Sequence, residues 1–229
     1  TICTSYSDYK SKFGGSFTSG SGIFSYFTSI SAYNYFLEGG ESLLVARVVN
    51  GTYTEATSSV ITNVGETSGG SFTLQTISEG TIMNNTGDPN SDGSLSSGSK
   101  DNVRWEITGA NTGSGTFNVV IRRGDDRTND KTILETFNKV SLDPNQDNFI
   151  SKRIGDTRFR YNSTLNQVTE DAGEFRNISK FVRVSSIATP TVDYFDNTGT
   201  AKAAFTGSIP VNGSGSFGGA VGGVMTGGN

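Results

Sequence analysis

No histidine occurs anywhere in this chain of 229 residues, and Cys3 is its single cysteine. Ser-His-Asp triads, Cys-His nucleophiles, two-histidine zinc sites and the non-haem iron triad all need an imidazole, so none can be assembled from these residues alone. Carboxylates remain. Asp125/Asp126 and Glu170/Asp171 are adjacent pairs of the residue type a glycosidase uses as acid and base. Each pair lies in a polar stretch without an apolar pocket to drive its pKa values apart, so the sequence assigns no catalytic residue and reads as a non-enzyme.

Two binding motifs fail on their details. Asp143, Asn145 and Asp147 stand at the first, third and fifth positions of a calcium loop, but Asn148 replaces the sixth-position glycine and Ile154 the bidentate glutamate. A helix start fits better: Asp143 as cap, Pro144 first, Lys152 and Arg153 in the last turn, Gly155 as stop. Gly213, Gly215 and Gly218 match a dinucleotide fingerprint only through the glycine content of the tail, and no phosphate-binding loop occurs. No metal and no cofactor are therefore expected. Cys3 is too isolated for an internal disulfide and reads as a small apolar residue on a strand.

The densest charge cluster is Arg122, Arg123, Asp125, Asp126 and Arg127. Its bland reading is a solvated, self-neutralising loop after a strand. Its functional reading is a subunit contact, because paired charges fix register more than they add affinity.

The whole chain carries a net charge of −4 and is 33% hydrophobic. A nucleic-acid partner would need concentrated positive charge, so none is expected. No apolar run approaches the roughly 20 residues of a membrane span, and no membrane partner is expected. Residues 1 to 3 open without a charged region or apolar block, so no signal peptide is read. Abundant Gly, Ser, Thr and Asn with four prolines describe short strands joined by polar turns.

The elements follow from periodicity. Ile23, Phe24, Phe27, Ile30 and Leu37 share a helical face, so a helix from about Ile23 to Glu38 is expected to pack on a core, with Gly39 ending it. Leu43 to Val49 reads as a strand covered on both faces, with Arg47 near Glu38 or Glu41. Ser58 to Asn63 and Ser71 to Ile77 read as strands, and Thr86 to Gly93 as a loop. Val103/Trp105/Ile107 and Phe117/Val119/Ile121 alternate as two strands. Trp105 is the only tryptophan, and alternation places it in a core rather than on a ligand platform. Glu135 to Leu142, Arg158 to Tyr161 and Lys180 to Ser185 add further strands.

Three of these segments carry a resemblance. Thr4 to Gly15 (Ser-Tyr-Ser-Asp-Tyr leading to Phe13-Gly14-Gly15), Tyr33 to Val49 (Phe36-Leu37-Glu38-Gly39-Gly40, then Val45-Ala46-Arg47-Val48) and Glu135 to Ile150 (with Ser141-Leu142-Asp143-Pro144) resemble, in order, the contractile tail sheath proteins of bacteriophages and related injection machines. They touch about a third of the chain; residues 51–100 match nothing in that pattern.

The resemblance implies a strand-rich α+β fold with mixed sheets and two or three helices, forming part of a multi-domain subunit. Residues 1–50 would be a helix-helix-strand segment and 51–100 a polar, outward-facing insertion. Residues 101–206 would be a strand-rich region with a short helix near 144–154, and 207–229 a glycine-rich connection to a further domain. It also implies a fragment lacking the N-terminal arm and C-terminal domain of a sheath subunit.

The implied function is mechanical: subunits stack as hexameric rings around a tail tube in the virion tail and contract to drive the tube through a host envelope. Implied partners are further copies of the chain, the tube protein, the baseplate and the tail terminator, with synthesis in the host bacterial cytoplasm. The alternative is a secreted strand-rich adhesin or glycan-binding module, favoured by composition, by Trp105 and by the sequons Asn50-Gly51-Thr52 and Asn162-Ser163-Thr164.

Overall fold

A computed structural model describes residues 2–19, 21–46, 53–80 and 100–220. The fold is α+β and strand-rich, 14% helical against 41% strand, with four helices in the described residues.

Residues 2–46 carry β1 (Ile2–Cys3), α1 (Tyr6–Phe13), β2 (Ser16–Ser19), β3 (Gly22–Ser25), α2 (Phe27–Leu37) and β4 (Leu43–Leu44). Ser5 caps α1, its Oγ accepting the Asp8 N–H at 3.1 Å, and Lys12 bridges back to Asp8 one turn away. β1 pairs antiparallel with β4, and β2 with β3. Cys3, Tyr9 and Ala32 form the small core of this region, with Tyr6, Phe13, Phe36, Leu43 and Val45 packed against it.

Two expectations fail here. The segment expected to begin a helix at Ile23 is instead the second arm of the β2–β3 hairpin, and α2 starts at Phe27. The apolar face of α2 does exist, but it looks outward: Ser29 and Ala32 are the buried residues, while Phe27 is 89% exposed and Ile30, Tyr33 and Leu37 are exposed with it. Small residues face inward because α1 and its tyrosines crowd that side, with the Tyr6 hydroxyl 3.0 Å from Ser29 Oγ. Gly39 ends the helix as expected, at φ +91. Of the strand expected over Leu43 to Val49, the described residues pair at Leu43–Leu44, and Leu44 is exposed rather than covered. Arg47 lies outside the described residues, as do Thr86 to Gly93.

The main body is one antiparallel sheet built from β5 (Glu55–Ser58), β6 (Phe72–Glu79), β7 (Val103–Asn111), β8 (Thr116–Arg123), β9 (Ile133–Ser141), β12 (Val182–Ile187) and β13 (Gly213–Gly218). Its seven strands run in the order β12-β6-β5-β13-β7-β8-β9. α3 (Ile150–Ile154) and a separate hairpin, β10 (Arg158–Asn162) with β11 (Gln167–Ala172), lie between β9 and β12 in sequence; α4 (Ala203–Thr206) precedes β13.

The sheet curls, bringing its two edge strands towards each other. α3 packs on both edges, and the Glu135 carboxylate of β9 accepts from Ser179 Oγ at 2.6 Å and Lys180 N at 2.9 Å, just ahead of β12. Edge strands left open invite mispairing, and this closure shields them. Inside the curl lie Phe72, Leu74, Val103, Ile107, Phe117, Val119, Ile121, Leu142, Ile150, Ile154 and Ile209. The alternation read for β7 and β8 holds, and Trp105, 7% exposed, belongs to this core.

Other differences have local causes. The strand expected over Ser58 to Asn63 ends at Ser58; Ile61 is buried instead through backbone bonds with Phe72 and Ser71. β5 and β6 are integral to the sheet, so the described part of the expected outward insertion is framework. The helix expected from Pro144 is two turns followed by the five residues of α3, because Ser141 N bonds Asn148 O and Asn148 Nδ2 bonds Lys139 O, tying the chain back to β9. The tail expected as a connection contributes β13: residues 213–216 pair with β7 and 217–218 with β5. Gly215 lies across the indole, where a Cβ would stand 2.6 Å from Trp105 Cζ2.

Candidate subunit contact

The charge cluster is built at the end of β8. Arg122 and Arg123 occupy the last two positions of the strand, and the chain then turns at Gly124, whose N–H bonds Asn102 O at 2.7 Å. A side chain is impossible there, since a Cβ would sit 2.0 Å from Asp101 O. The turn returns Asp126 beneath the sheet.

Arg122 is 3% exposed and the Asp126 side chain 0%, so the solvated-loop expectation fails for this pair. The guanidinium grips the carboxylate through Nε at 2.7 Å and Nη2 at 2.8 Å, and donates Nη1 to Glu106 on β7 at 3.1 Å. Asp126 also accepts the Thr132 N–H at 3.1 Å, and Arg104, directly across the ladder from Arg122, lies 3.6 Å away. Glu106 takes a second cation, Lys131, at 2.6 Å. Like charges at Arg104 and Arg122 would repel as cross-strand neighbours; the inserted carboxylate reconciles them.

The titration directions agree with this geometry. Burial pushes the Asp126 carboxyl up, but the bonds from Arg122 and Thr132 and the nearby Arg104 outweigh it and hold the group below its ordinary value. The Asp126 hydrogen bond in turn raises Arg122. Outside this buried knot, Arg123 grips Asp125 at 2.5 and 2.7 Å in a more exposed pair that lowers Asp125. Arg127 is exposed and exchanges backbone hydrogen bonds with Asp130. The five residues therefore divide: Arg122 and Asp126 hold the sheet together, while Arg123, Asp125 and Arg127 face outward.

The remaining candidates scatter. Glu170 accepts from Thr157 Oγ1 at 3.3 Å, and Asp171 is paired with Arg158, so this second acid pair serves the β10–β11 hairpin. Asp143 Oδ1 accepts the Asn145 N–H at 3.0 Å, and Lys152 Nζ sits 3.1 Å from both the Pro144 and Gln146 carbonyls, placing an ammonium against the backbone of the calcium-like loop. Among the described residues no group of three or more His, Cys, Asp or Glu converges on a metal position. Cys3 is buried on β1, and burial raises its thiol. Asn162 stands at the β10–β11 turn, its Oδ1 accepting from Thr164 N and Leu165 N; Asn50 to Thr52 lie outside the described residues. No described helix is long and apolar enough to cross a membrane.

Two exposed apolar surfaces were not expected from sequence. One is the outer face of α2, whose stripe was read but expected to pack on a core. The other is on β10–β11, where Phe159, Tyr161 and Val168 share a face, Tyr161 directly opposite Val168, and all three are exposed. Alternation in Arg158-Phe159-Arg160-Tyr161 was the available signal. No protein-family model matches the chain, and no curated protein does.

Proposed function

We propose that this chain is a structural subunit of a contractile tail sheath. The observation that carries the reading is the order of three matches, Thr4 to Gly15, Tyr33 to Val49 and Glu135 to Ile150, in one polypeptide. Many copies would stack as rings around a tube, hold a stretched lattice and, on a trigger, move to a shorter and wider one. Two packing basins separated by a barrier suffice for that work.

The arrangement of charge and apolar surface supports an assembling chain. Arg123, Asp125 and Arg127 offer outward charges of both signs beside a buried anchor, which suits a contact that must fix register without gripping irreversibly. Phe27, Leu37, Leu44, Tyr161 and Val168 leave more large apolar side chain in water than isolated surface residues would. For the adhesin alternative, Trp105 offers no sugar platform, since it lies in the core.

Negative-stain electron microscopy of the gene product expressed alone and with its neighbouring tube gene tests the proposal. Hollow striated cylinders are expected; dispersed particles under both conditions would overturn it.

A further inference from the structure

We infer that the apolar face of the β10–β11 hairpin of one copy seats on the outer face of α2 of the next copy, head to tail. The inference rests on the sheath reading for its choice of partner, a second copy of this chain. The two surfaces are physical facts of the fold.

The hairpin is two-faced. Among the described strands, β10 and β11 pair only with each other. On one face Arg160 reaches the main sheet, donating Nη2 to both Glu55 oxygens at 3.2 and 2.9 Å, and Arg158 pairs with Asp171. The other face carries Phe159, Tyr161 and Val168, with Glu170 opposite Phe159 at one end and exposed Leu165 at the turn. A two-stranded hairpin is marginal by itself, and here ion pairs anchor the charged face while the apolar face is left to water.

α2 has the complementary defect. Its eleven residues, Phe-Thr-Ser-Ile-Ser-Ala-Tyr-Asn-Tyr-Phe-Leu, include no charged side chain, whereas a helix face meant for water normally carries several. Ile30, Tyr33 and Leu37 recur at the three- and four-residue spacing of a packing seam, and Phe27 lies beside them at the start of the helix. Tyr33 meets Tyr6 in a T-shaped contact and is still 47% exposed. Both surfaces stay exposed within one chain, so the hairpin does not cover its own copy's helix.

The areas agree. Four residues on each face, each leaving on the order of 100 Å² in water, give about 400 Å² of apolar surface per partner. With apolar atoms making up about 57% of a typical interface, the total buried would be about 1,400 Å², within the range of a specific contact. The absence of charge from α2 matches the charge-depleted centre of such interfaces, while on the hairpin Glu170, opposite Phe159, places a charge at the end of the patch away from the turn. A ribbon meeting a helix is heterologous, and heterologous contacts propagate into rings and helices, whereas α2 against α2 would close as a dimer.

Disulfide trapping tests this in a Cys3→Ala background, which removes the only thiol. Ile30→Cys and Tyr161→Cys chains, mixed and oxidised with copper phenanthroline, are expected to form a dimer linked 30 to 161 at least tenfold more abundantly than either chain alone. The double variant is expected to give a ladder of dimers, trimers and higher species. Tyr161→Asp, on an exposed strand position and checked for folding by circular dichroism, is expected to raise tenfold the concentration at which oligomers sediment. Dominant 30–30 or 161–161 linkage, or an unlinked chain at every concentration, overturns the contact. Microscopy of the same samples separates the two ideas. Striated cylinders without the 30–161 link overturn the contact and leave the sheath reading standing, whereas 30–161 ladders that never form cylinders support the contact and remove the sheath.

Discussion

Replacing Arg122 with methionine should expose how much of the main sheet depends on its buried ion knot. The variant removes three charge-assisted hydrogen bonds, two to Asp126 and one to Glu106. Breaking a buried pair by deleting one partner costs about 3–5 kcal/mol, because the other charge stays behind without water. Asp126 would keep the Thr132 N–H and Arg104 at 3.6 Å, and Glu106 would keep Lys131. This residual compensation places the expected loss at the lower end, about 3 kcal/mol, or a fall in Tm of about 6–12 °C for a chain of this size. Urea unfolding followed by Trp105 fluorescence would measure it. Arg123→Met, which breaks the more exposed Asp125 pair, should cost less than about 1 kcal/mol and serves as the reference.

The pH dependence adds a second constraint. Asp126 is depressed in the folded state, so its contribution is present above the ordinary carboxylate range, near 4, and is lost as pH falls through its lower folded value. In Arg122→Met the main opposing influence is gone and burial dominates, so the carboxyl takes up a proton at a higher pH than in the parent. The stability gap between parent and variant should therefore be widest at pH 7 and narrow on acidification towards pH 4. A gap within about 1 kcal/mol of the Arg123→Met reference, or one that widens as pH falls, would refute this account of the knot.

Gly215→Val would drive a side chain into the Trp105 ring and should destabilise by about 1–3 kcal/mol with a shift in indole emission; unchanged emission and stability would count against the close packing. Asp143→Asn should hold or raise Tm, since Oδ2 of Asp143 is buried without a partner while Oδ1 keeps the Asn145 N–H; a loss beyond about 1 kcal/mol would contradict this. Millimolar calcium should leave the melting temperature of the parent chain unchanged, because Lys152 already sits on the Pro144 and Gln146 carbonyls, and a rise would reopen the calcium loop. Cys3 should resist a thiol reagent in the folded chain and react fully in urea; rapid reaction of the native protein would place it at the surface.

The strands most legible from sequence were those with strict alternation. Val103, Trp105 and Ile107, and Phe117, Val119 and Ile121, declared β7 and β8 because a period of two puts these residues on the face that lines the core. α2 was legible as a helix and its apolar stripe as a stripe, but periodicity says only that such a face wants cover, not that the same chain supplies it. β13 was illegible for the opposite reason. Its Gly-Ser-Gly-Ser-Phe-Gly composition has little strand propensity, and its place is set by long-range contacts: Gly215 lies against the Trp105 ring with no room for a side chain, and Phe217 enters the core. The charge cluster was found by type and spacing, yet its division into an inward pair and an outward remainder depended on Gly124 turning the loop back under the sheet. That close approach is long-range information.

The position of β13 also governs when the fold can exist at all. It joins β5 and β7, so until residue 218 has been made the sheet is two separate ribbons, β12-β6-β5 and β7-β8-β9, each with a naked edge where β13 will lie. Pairing residues 213–218 with partners more than a hundred positions earlier is a late and slow closure. During synthesis the ribbons wait with unpaired edges, open to other chains of the same kind. The sheet that encloses the core is therefore completed by its last-made strand, and what holds the fold together is decided by six glycine-rich residues that reach the ribosome exit after every partner they pair with.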